Sequence, residues 1–233
     1  MIPRNMILEE LKDKLINIKS RGWIKTERSG DTGIGFTLER LLGLRSSSRS
    51  TPHYKKEISI KSRREGSSKR ITLFAKVPVW GSLGRQGLLN KHGYYDKNKR
   101  WSLYTSIYGN RKSIRDWKLS IDEKNIYVLR NEEPIVYWKK NTLKKILITK
   151  LSSTLFVVAK SRGKKQNEMF FYDKAYFASE PNIENFEKLI KDGTICLDFA
   201  MHKEKNKVID KGFLFRIQSS KIYKLYANYK QVM

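Results

Sequence analysis

The segment Glu57-Ile58-Ser59-Ile60-Lys61 alternates polar and apolar side chains. Successive side chains of a strand point to opposite faces, so this alternation predicts a β-strand with Glu57, Ser59 and Lys61 on one face. A carboxylate is the hard oxygen ligand that Mg²⁺ prefers, and an ammonium group stabilises charge that develops on a phosphate. His53, a few residues earlier, adds a nitrogen ligand or a general base. These residue types suit metal-assisted chemistry on a phosphate ester.

Helices and a second strand are predicted around this segment. An amphipathic helix is predicted over residues 7–21, because apolar residues recur there every three or four positions, at Leu8, Leu11, Leu15 and Ile18. A second helix is predicted to begin between Thr32 and Thr37. Residues 71–75 alternate less but are apolar and β-branched, so we expect them to pair with residues 57–62 across the loop that contains Gly66.

The rest of the chain also mixes strands and helices. We expect strands over residues 101–107, 117–121, 125–129, 155–161, 169–178, 194–201 and 213–217, and helices over residues 142–150 and 182–192 and from residue 219. Residues 203–211 are predicted to be a basic loop. Because the elements do not repeat as β-α-β units, the sequence predicts an α+β or mixed α/β fold.

The charge of the chain is strongly positive. Its 49 Lys and Arg residues against 23 Asp and Glu residues give a net charge of +26. Such a surplus favours a polyanionic partner, with DNA or RNA the leading candidate, although a lysine-rich composition inherited from an AT-rich genome also contributes. No segment is apolar enough for a membrane span, and the N-terminal residues do not resemble a signal peptide. A single cysteine suits the cytoplasm, where we expect the protein.

Three segments together resemble a known family. They are Gly30-Asp31-Thr32-Gly33-Ile34-Gly35-Phe36-Thr37-Leu38-Glu39, Ile58-Ser59-Ile60-Lys61 and Ile71-Thr72-Leu73-Phe74-Ala75-Lys76. They resemble the nuclease core of the MvaI/BcnI-type restriction endonucleases, a MutH-like branch of the PD-(D/E)XK nucleases. The resemblance implies a central mixed β-sheet flanked by helices, in two lobes around a DNA cleft. We expect a catalytic lobe over residues 1–105 and a DNA-recognition lobe over residues 106–233, with interleaving of the chain between them.

The resemblance also assigns the residues of the nuclease site. The helical glutamate of the family matches Glu39, and its lysine matches Lys61. The acid two residues before the lysine falls on Ser59, and the aspartate of the motif falls on His53 or, without an inserted residue, on Tyr54. The site implied by the resemblance therefore lacks two carboxylates.

Three explanations of this difference remain open. In the first, the site is rebuilt around Lys61, with Glu39, Glu57 and His53 as ligands of Mg²⁺ or Mn²⁺. In the second, the protein binds DNA without cutting it. In the third, the chain is a deliberately disabled variant of an active enzyme.

The same resemblance extends to residues that contact DNA. The segment Tyr108-Gly109-Asn110-Arg111-Lys112 and the segment Asp210-Lys211-Gly212-Phe213-Leu214-Phe215-Arg216 resemble family segments near the recognition residues. The guanidinium groups of Arg111 and Arg216 have the shape to engage guanine. The predicted DNA-binding residues are Arg63, Arg64, Arg70, Asn110, Arg111, Lys112, Asp210, Lys211 and Arg216. Where the family reads bases with His and Arg, this chain has Ile209, Lys211 and Ala200, so we expect a different target sequence.

The sequence thus predicts a site-specific, metal-dependent double-stranded DNA endonuclease of the type II restriction kind. The resemblance implies that it acts as a monomer, alongside a DNA methyltransferase of the same system. The alternative is a catalytically inactive DNA-binding protein of a defence or regulatory complex. RNA binding is a third alternative, which lacks a visible single-strand stacking motif.

Overall fold

The computed structural model describes residues 3–44, 54–81, 83–205 and 207–233. Within these ranges the α-helices are α1 (Arg4–Ser20), α2 (Gly33–Leu41), α3 (Gly84–His92), α4 (Lys140–Leu151) and α5 (Ile183–Lys191). The strands are β1 (Ile24–Lys25), β2 (Ser59–Arg64), β3 (Arg70–Ala75), β4 (Val79–Trp80), β5 (Tyr94–Tyr95), β6 (Trp101–Ile107), β7 (Trp117–Ile121), β8 (Asn125–Arg130), β9 (Glu133–Lys139), β10 (Ser153–Arg162), β11 (Met169–Pro181), β12 (Ile195–Glu204), β13 (Lys207–Gln218) and β14 (Tyr226–Gln231). None of these helices has the length and apolarity that a bilayer span requires.

The chain folds into two compact units, each assembled from separate segments. The first unit comprises residues 1–69, 147–181 and 226–233, and the second comprises residues 70–146 and 182–225. Each unit therefore draws on both halves of the sequence. The assignment of a catalytic and a recognition role to lobes 1–105 and 106–233 stays a prediction.

The first unit contains a mixed sheet in the order β1-β11-β10-β2, with β14 paired to β11. Strands β10 and β2 run parallel, whereas β11 runs antiparallel to β10, β1 and β14. Helices α1 and α2 cover one face of this sheet with the apolar residues that the sequence pattern predicts, and Leu11, Leu15 and Leu38 are fully buried there. The predicted mixed sheet flanked by helices is confirmed.

The second unit contains two sheets joined by an aromatic core. The first of these sheets has the order β3-β13-β12-β6-β5, and the second has the order β4-β9-β8-β7. Trp117 on β7 packs edge-on against Phe199 on β12, and Trp138 on β9 packs against Phe215 on β13, with ring centroids 5.6 and 5.3 Å apart. Alternation along β12 and β13 then directs Asp198 and Arg216 to the other face of their sheet.

Three local predictions are wrong. The helix predicted from residue 219 is a 3₁₀ helix over residues 219–225, and β14 follows it over residues 226–231. Strand β3 does not pair with β2, because β2 pairs with β10 in the first unit and β3 pairs with β13 in the second. Residues 203–204 and 207–211 are strand and not loop, because β12 extends to Glu204 and β13 begins at Lys207. The loop was predicted over residues 203–211 because lysine is the commonest residue there. Lysine also occurs in exposed strand ends, where its aliphatic stem tolerates an extended backbone.

Candidate nuclease site and nucleic-acid interface

Strand β2 has one apolar face and one polar face. Ile60 is buried in the core that also contains Ile34 and Leu38 of α2. Ser59 and Lys61 point the other way, because side chains alternate along a strand. The Ser59 hydroxyl donates a hydrogen bond to the Lys150 carbonyl at the end of α4, with 2.7 Å between Oγ and O. The position that the resemblance gives to an acid thus holds a buried serine with an internal partner.

Lys61 lies in a poorly hydrated environment. Burial lowers the pKa of its ammonium group to about 8, and the positive charge of Lys150 acts in the same direction. Its neighbour across the parallel pair is Phe156, whose ring lies 5.9 Å from Tyr226 and 6.2 Å from Tyr229. Phe156 therefore lies beside Lys61 in the sheet, and the charge of Lys150 acts on its ammonium group.

Helix α2, which carries Glu39, lies against strand β2. A Cβ atom at Gly35 would lie 3.4 Å from the Ser62 hydroxyl oxygen, which places this turn of the helix directly over the residue after Lys61. Glu39 follows Gly35 by four residues and so lies on the same side of the helix, one turn further along. Glu39 is half-buried there.

Glu57 does not continue the face of β2. The strand begins at Ser59, and Glu57 lies in the turn between Tyr54 and Ile58, in which Lys55 and Lys56 both have positive φ angles. Its carboxylate Oε2 lies 3.4 Å from Nη2 of Arg4 on α1. The prediction that Glu57, Ser59 and Lys61 share one strand face is therefore wrong for Glu57.

The family resemblance places a second acid at residue 53 or 54, and the structure describes only residue 54. His53 lies outside the described residues. Tyr54 is buried, and its hydroxyl donates to Oε1 of Glu10 at 2.8 Å. Tyr54 therefore has a structural role and supplies no carboxylate.

A metal ion does not fit the part of the site that the structure describes. Across residues 3–44, 54–81, 83–205 and 207–233, no group of three or more His, Cys, Asp or Glu side chains is placed to hold a metal ion. Hard divalent cations require several oxygen ligands. No catalytic step through a metal ion follows from these residues.

Among the predicted DNA contacts near the nuclease site, Arg64 is engaged within the protein. Its guanidinium forms two hydrogen bonds with Glu168, of 2.6 and 2.8 Å, and one of 3.0 Å with the carbonyl of Gly30. Arg64 thus ties β2 to the turn before α2 and to the start of β11. Arg63, which alternates with Arg64, lies half-buried on the Lys61 face of the strand.

Arg216 is also engaged within its own sheet. Its Nη1 donates to Asp198 at 2.8 Å, and its Nη2 donates to the Arg70 carbonyl at 2.9 Å. Asp198 accepts a further hydrogen bond of 2.6 Å from the Ser106 hydroxyl. These bonds join four strands, β3, β13, β12 and β6, across the polar face. Both terminal nitrogens of Arg216 therefore have partners in the absence of DNA.

Asp210 forms its contacts within the protein, whereas Lys211 is exposed to solvent. The Asp210 carboxylate accepts from the Gly212 amide at 2.6 Å and lies 3.1 Å from Nε of Arg85. Lys211 is exposed. The acidic residue of this pair thus shapes the strand, and the basic residue is accessible to a ligand.

The segment from Tyr108 to Lys112 is anchored by its middle residues. Gly109 approaches α5 so closely that a Cβ atom would lie 2.4 Å from the Ile190 carbonyl oxygen, so only glycine fits. The Asn110 side chain donates to the Asp192 carbonyl at 3.0 Å. Arg111 is exposed, and its guanidinium carbon lies 3.9 Å from the centroid of the Tyr108 ring.

Sequence reasoning missed the surroundings of Arg111. An open pocket of about 510 Å³ lies beside it, with Arg115 stacked at 3.8 Å on Tyr94 along its lining. Arg115 and Asp116 both have positive φ angles, which are uncommon for arginine and more common for aspartate. The only signal in the sequence is the run Arg111-Lys112-Ser113-Ile114-Arg115, in which an aliphatic residue stands among cations.

Comparison with known proteins gives a consistent result. The structure of restriction endonuclease MvaI bound to its cognate DNA superposes with a TM-score of 0.85 and 27% sequence identity, covering 97% of this chain and 98% of that one. The structure of MvaI without DNA gives a TM-score of 0.59 and 25% identity, covering 100% of both chains. A search of curated protein sequences found no match. The MvaI/BcnI restriction endonuclease family matches residues 12–226. The chain belongs to the MvaI/BcnI restriction endonuclease family.

Proposed function

We propose that this protein is a site-specific double-stranded DNA endonuclease of the type II restriction kind that depends on Mg²⁺ or Mn²⁺. The observation that carries the proposal is the buried position of Lys61 on β2, the strand against which the helix with Glu39 packs, in a chain of the restriction endonuclease family. The proposal includes action as a monomer in the cytoplasm and a DNA methyltransferase as the partner that protects host DNA. The MutH-like character of the nuclease core belongs to the same proposal.

The charge of the chain supports DNA as the substrate. A net charge of +26 on 233 residues favours a polyanion, because each neutralised phosphate releases counterions. Exposed cations in both units, such as Arg162 in the first and Arg111 and Lys211 in the second, are available to phosphates. The similar MvaI structure was solved with its cognate DNA.

Lys61 is the residue that we assign to the reaction. A buried lysine is poorly hydrated, so its positive charge acts more strongly on an adjacent phosphate than that of a surface lysine does. Its role is to stabilise negative charge on the phosphate that is attacked. The resemblance makes Glu39 on α2 a candidate metal ligand, and His53 and Glu57 complete the set that the sequence predicts.

A second function, DNA binding without cleavage, is favoured by one specific observation. Ser59 replaces the acid before the lysine, and its hydroxyl is held by the Lys150 carbonyl. The described residues also contain no cluster of three metal-binding side chains. A nuclease fold without these ligands retains its DNA-binding surface and loses hydrolysis.

Paired binding and cleavage assays separate the two functions. Wild-type protein and the Lys61→Met variant are incubated with a mixture of long duplex DNAs, with Mg²⁺, with Mn²⁺ and with EDTA. The endonuclease proposal predicts discrete fragments from the wild-type protein with metal only, and none from Lys61→Met. Retention of the DNA on a gel without fragments under every condition would instead support the binding protein. Absence of both retention and fragments contradicts both functions.

A further inference from the structure

The loop between β6 and β7 presents one aliphatic side chain to solvent. Ile114 is 89% exposed, the largest exposure of any large hydrophobic residue that the structure describes. Hydrogen bonds fix the loop, from the Asp116 amide to the Ser113 carbonyl at 3.1 Å and from the Ser113 amide to the Trp117 carbonyl at 2.8 Å. Ile114 therefore projects from a closed turn with a defined backbone.

The pocket beside this loop has walls of stacked rings and guanidinium groups. Tyr94, Tyr104 and Tyr108 line it together with Arg111 and Arg115. Each arginine lies flat enough to bring its guanidinium carbon within 4 Å of a tyrosine ring centroid, 3.9 Å for Arg111 on Tyr108 and 3.8 Å for Arg115 on Tyr94. Tyrosine rings and guanidinium planes are both surfaces on which nucleobases stack.

The charged side chains that line the pocket are all positive. Its lining includes Arg111, Lys112 and Arg115 and no acidic residue. Among the ion pairs of the described residues, Lys112 is bonded to Glu132 at 2.9 Å, whereas no carboxylate lies within 4.0 Å of the guanidinium of Arg111 or Arg115. These two arginines are thus held by aromatic rings alone, which leaves their N–H groups available to an anion.

The volume suits one nucleotide. About 510 Å³ lies within the usual range of roughly 300–1,000 Å³ for small-ligand pockets. A flat ring that stacks on tyrosine, joined to a phosphate that binds arginine, satisfies both features of the lining.

We propose that this pocket binds a single nucleotide rotated out of a DNA duplex, while Ile114 enters the stack and fills the space that the base leaves. The inference rests on the proposed DNA binding. Rotation exposes the base and costs free energy, and this cost is smallest where the base is already unpaired. Apolar side chains inserted between base steps offset part of the lost stacking. The hydrogen bonds between Ser113, Asp116 and Trp117 hold the backbone on either side of Ile114 in place.

The test compares two duplexes of the same sequence, one fully paired and one with a single unpaired nucleotide on one strand. Binding is measured by fluorescence anisotropy in EDTA, so that no cleavage occurs. Wild-type protein should bind the duplex with the unpaired nucleotide at least about tenfold more tightly, because the cost of extrusion is already met. In the double variant Tyr108→Leu, Arg111→Met this ratio should fall to about one.

A second readout isolates Ile114. With 2-aminopurine as a paired base at successive positions, wild-type protein should raise its fluorescence at one position, since the probe brightens when it leaves the stack. Ile114→Ala should abolish this rise and weaken binding to the paired duplex, while the affinity for the unpaired nucleotide stays unchanged. Ile16→Ala, which alters an exposed isoleucine on α1, should change neither quantity.

Arg28→Met is the matched control for charge. Arg28 is exposed and stacks on Phe36 at 4.1 Å, so its replacement removes the same charge and the same type of contact in the first unit. This variant should leave the affinity ratio of the two duplexes intact. Circular dichroism melting of each variant establishes that it is folded.

Each outcome decides the inference. Equal affinity of the wild-type protein for both duplexes overturns the pocket's role and leaves the proposed DNA binding standing. A ratio that survives Tyr108→Leu, Arg111→Met also overturns it, because the unpaired nucleotide then binds elsewhere. Failure to bind either duplex overturns the proposed DNA binding itself, and the inference with it.

Discussion

The Ser59 hydroxyl donates its hydrogen bond to the Lys150 carbonyl, with 2.7 Å between the oxygens, and the charge of Lys150 adds to the burial that lowers the pKa of Lys61. The residue two positions before the lysine and the end of helix α4 are thereby coupled within the first unit. This contact gives Ser59 a structural partner at the position where the family resemblance implies an acid. A serine satisfies a carbonyl at a helix end, which a carboxylate, having no proton to donate, does not.

Replacement of Ser59 tests its structural role. Ser59→Ala removes the hydrogen bond and leaves the Lys150 carbonyl without this donor, so the free energy of unfolding should fall by about 1 kcal/mol. Urea denaturation of both proteins measures the difference. If Ser59 instead contacts the substrate, the variant should keep its stability and lose DNA affinity or cleavage.

The buried ammonium of Lys61 predicts a dependence of stability on pH. The pKa of Lys61 is about 8 in the folded protein and near 10.5 in the unfolded chain, so between these values the unfolded chain binds more protons. The contribution of Lys61 to the free energy of unfolding should therefore rise between pH 8 and 10.5, and below pH 8 it is destabilising. Lys61→Met should stabilise the protein at pH 7 by on the order of 1 kcal/mol and remove this part of the pH dependence.

Denaturation at several pH values between 7 and 10.5 checks this prediction. Lys230→Met, a change at an exposed lysine on β14 of the same sheet, is the control and should leave the slope unaltered. A wild-type slope that persists unchanged in Lys61→Met contradicts the predicted environment of Lys61.

The Arg64–Glu168 pair should stabilise the fold. Its side chains are 21% and 11% exposed, so removal of one partner leaves a largely desolvated charge, and Arg64→Met should lower the free energy of unfolding by about 1–3 kcal/mol. The exposed pair Lys174–Glu65, with 41% and 38% exposure, is the control, and Lys174→Met should cost less than about 1 kcal/mol. Equal small effects would show that Arg64 is available for phosphate contact, as the sequence predicts.

The two arginines predicted to read guanine should behave differently. Arg111 is exposed, so Arg111→Met should leave stability unchanged and reduce by about one the slope of log affinity for DNA against log salt concentration. Arg216 holds Asp198 and the Arg70 carbonyl, so Arg216→Met should destabilise the second unit. A loss of stability from Arg111→Met, or a stable Arg216→Met with altered sequence preference, contradicts these assignments.

Local periodicity predicted the elements that position the site. Helices α1 and α2 follow from apolar residues such as Leu11, Leu15 and Leu38, which recur at helical spacing and bury one face. The pairing of β2 with β10 could not be predicted from the sequence. Paired residues of the two strands, such as Lys61 and Phe156, lie about 95 positions apart in the chain, and no local pattern indicates the register of a parallel pair.

The bonding partners and positions of individual side chains were the features of the site that the sequence predicted least well. Arg64 reaches Glu168 across 104 positions, so its composition-based assignment to phosphate contact had no access to that partner. The turn that removes Glu57 from the strand face depends on positive φ angles at Lys55 and Lys56, which lysine does not signal. The family resemblance, by contrast, depended on three local segments, residues 30–39, 58–61 and 71–76, and the family is confirmed.

The most direct measurement of the central claim is the sequencing of DNA ends after incubation of mixed long duplexes with the protein and Mg²⁺ or Mn²⁺. The account predicts that wild-type fragments share one short sequence at their ends, and that Lys61→Met, folded to the same extent, produces no such ends. Intact DNA with the wild-type protein under both metals, or the same ends with Lys61→Met, would contradict it.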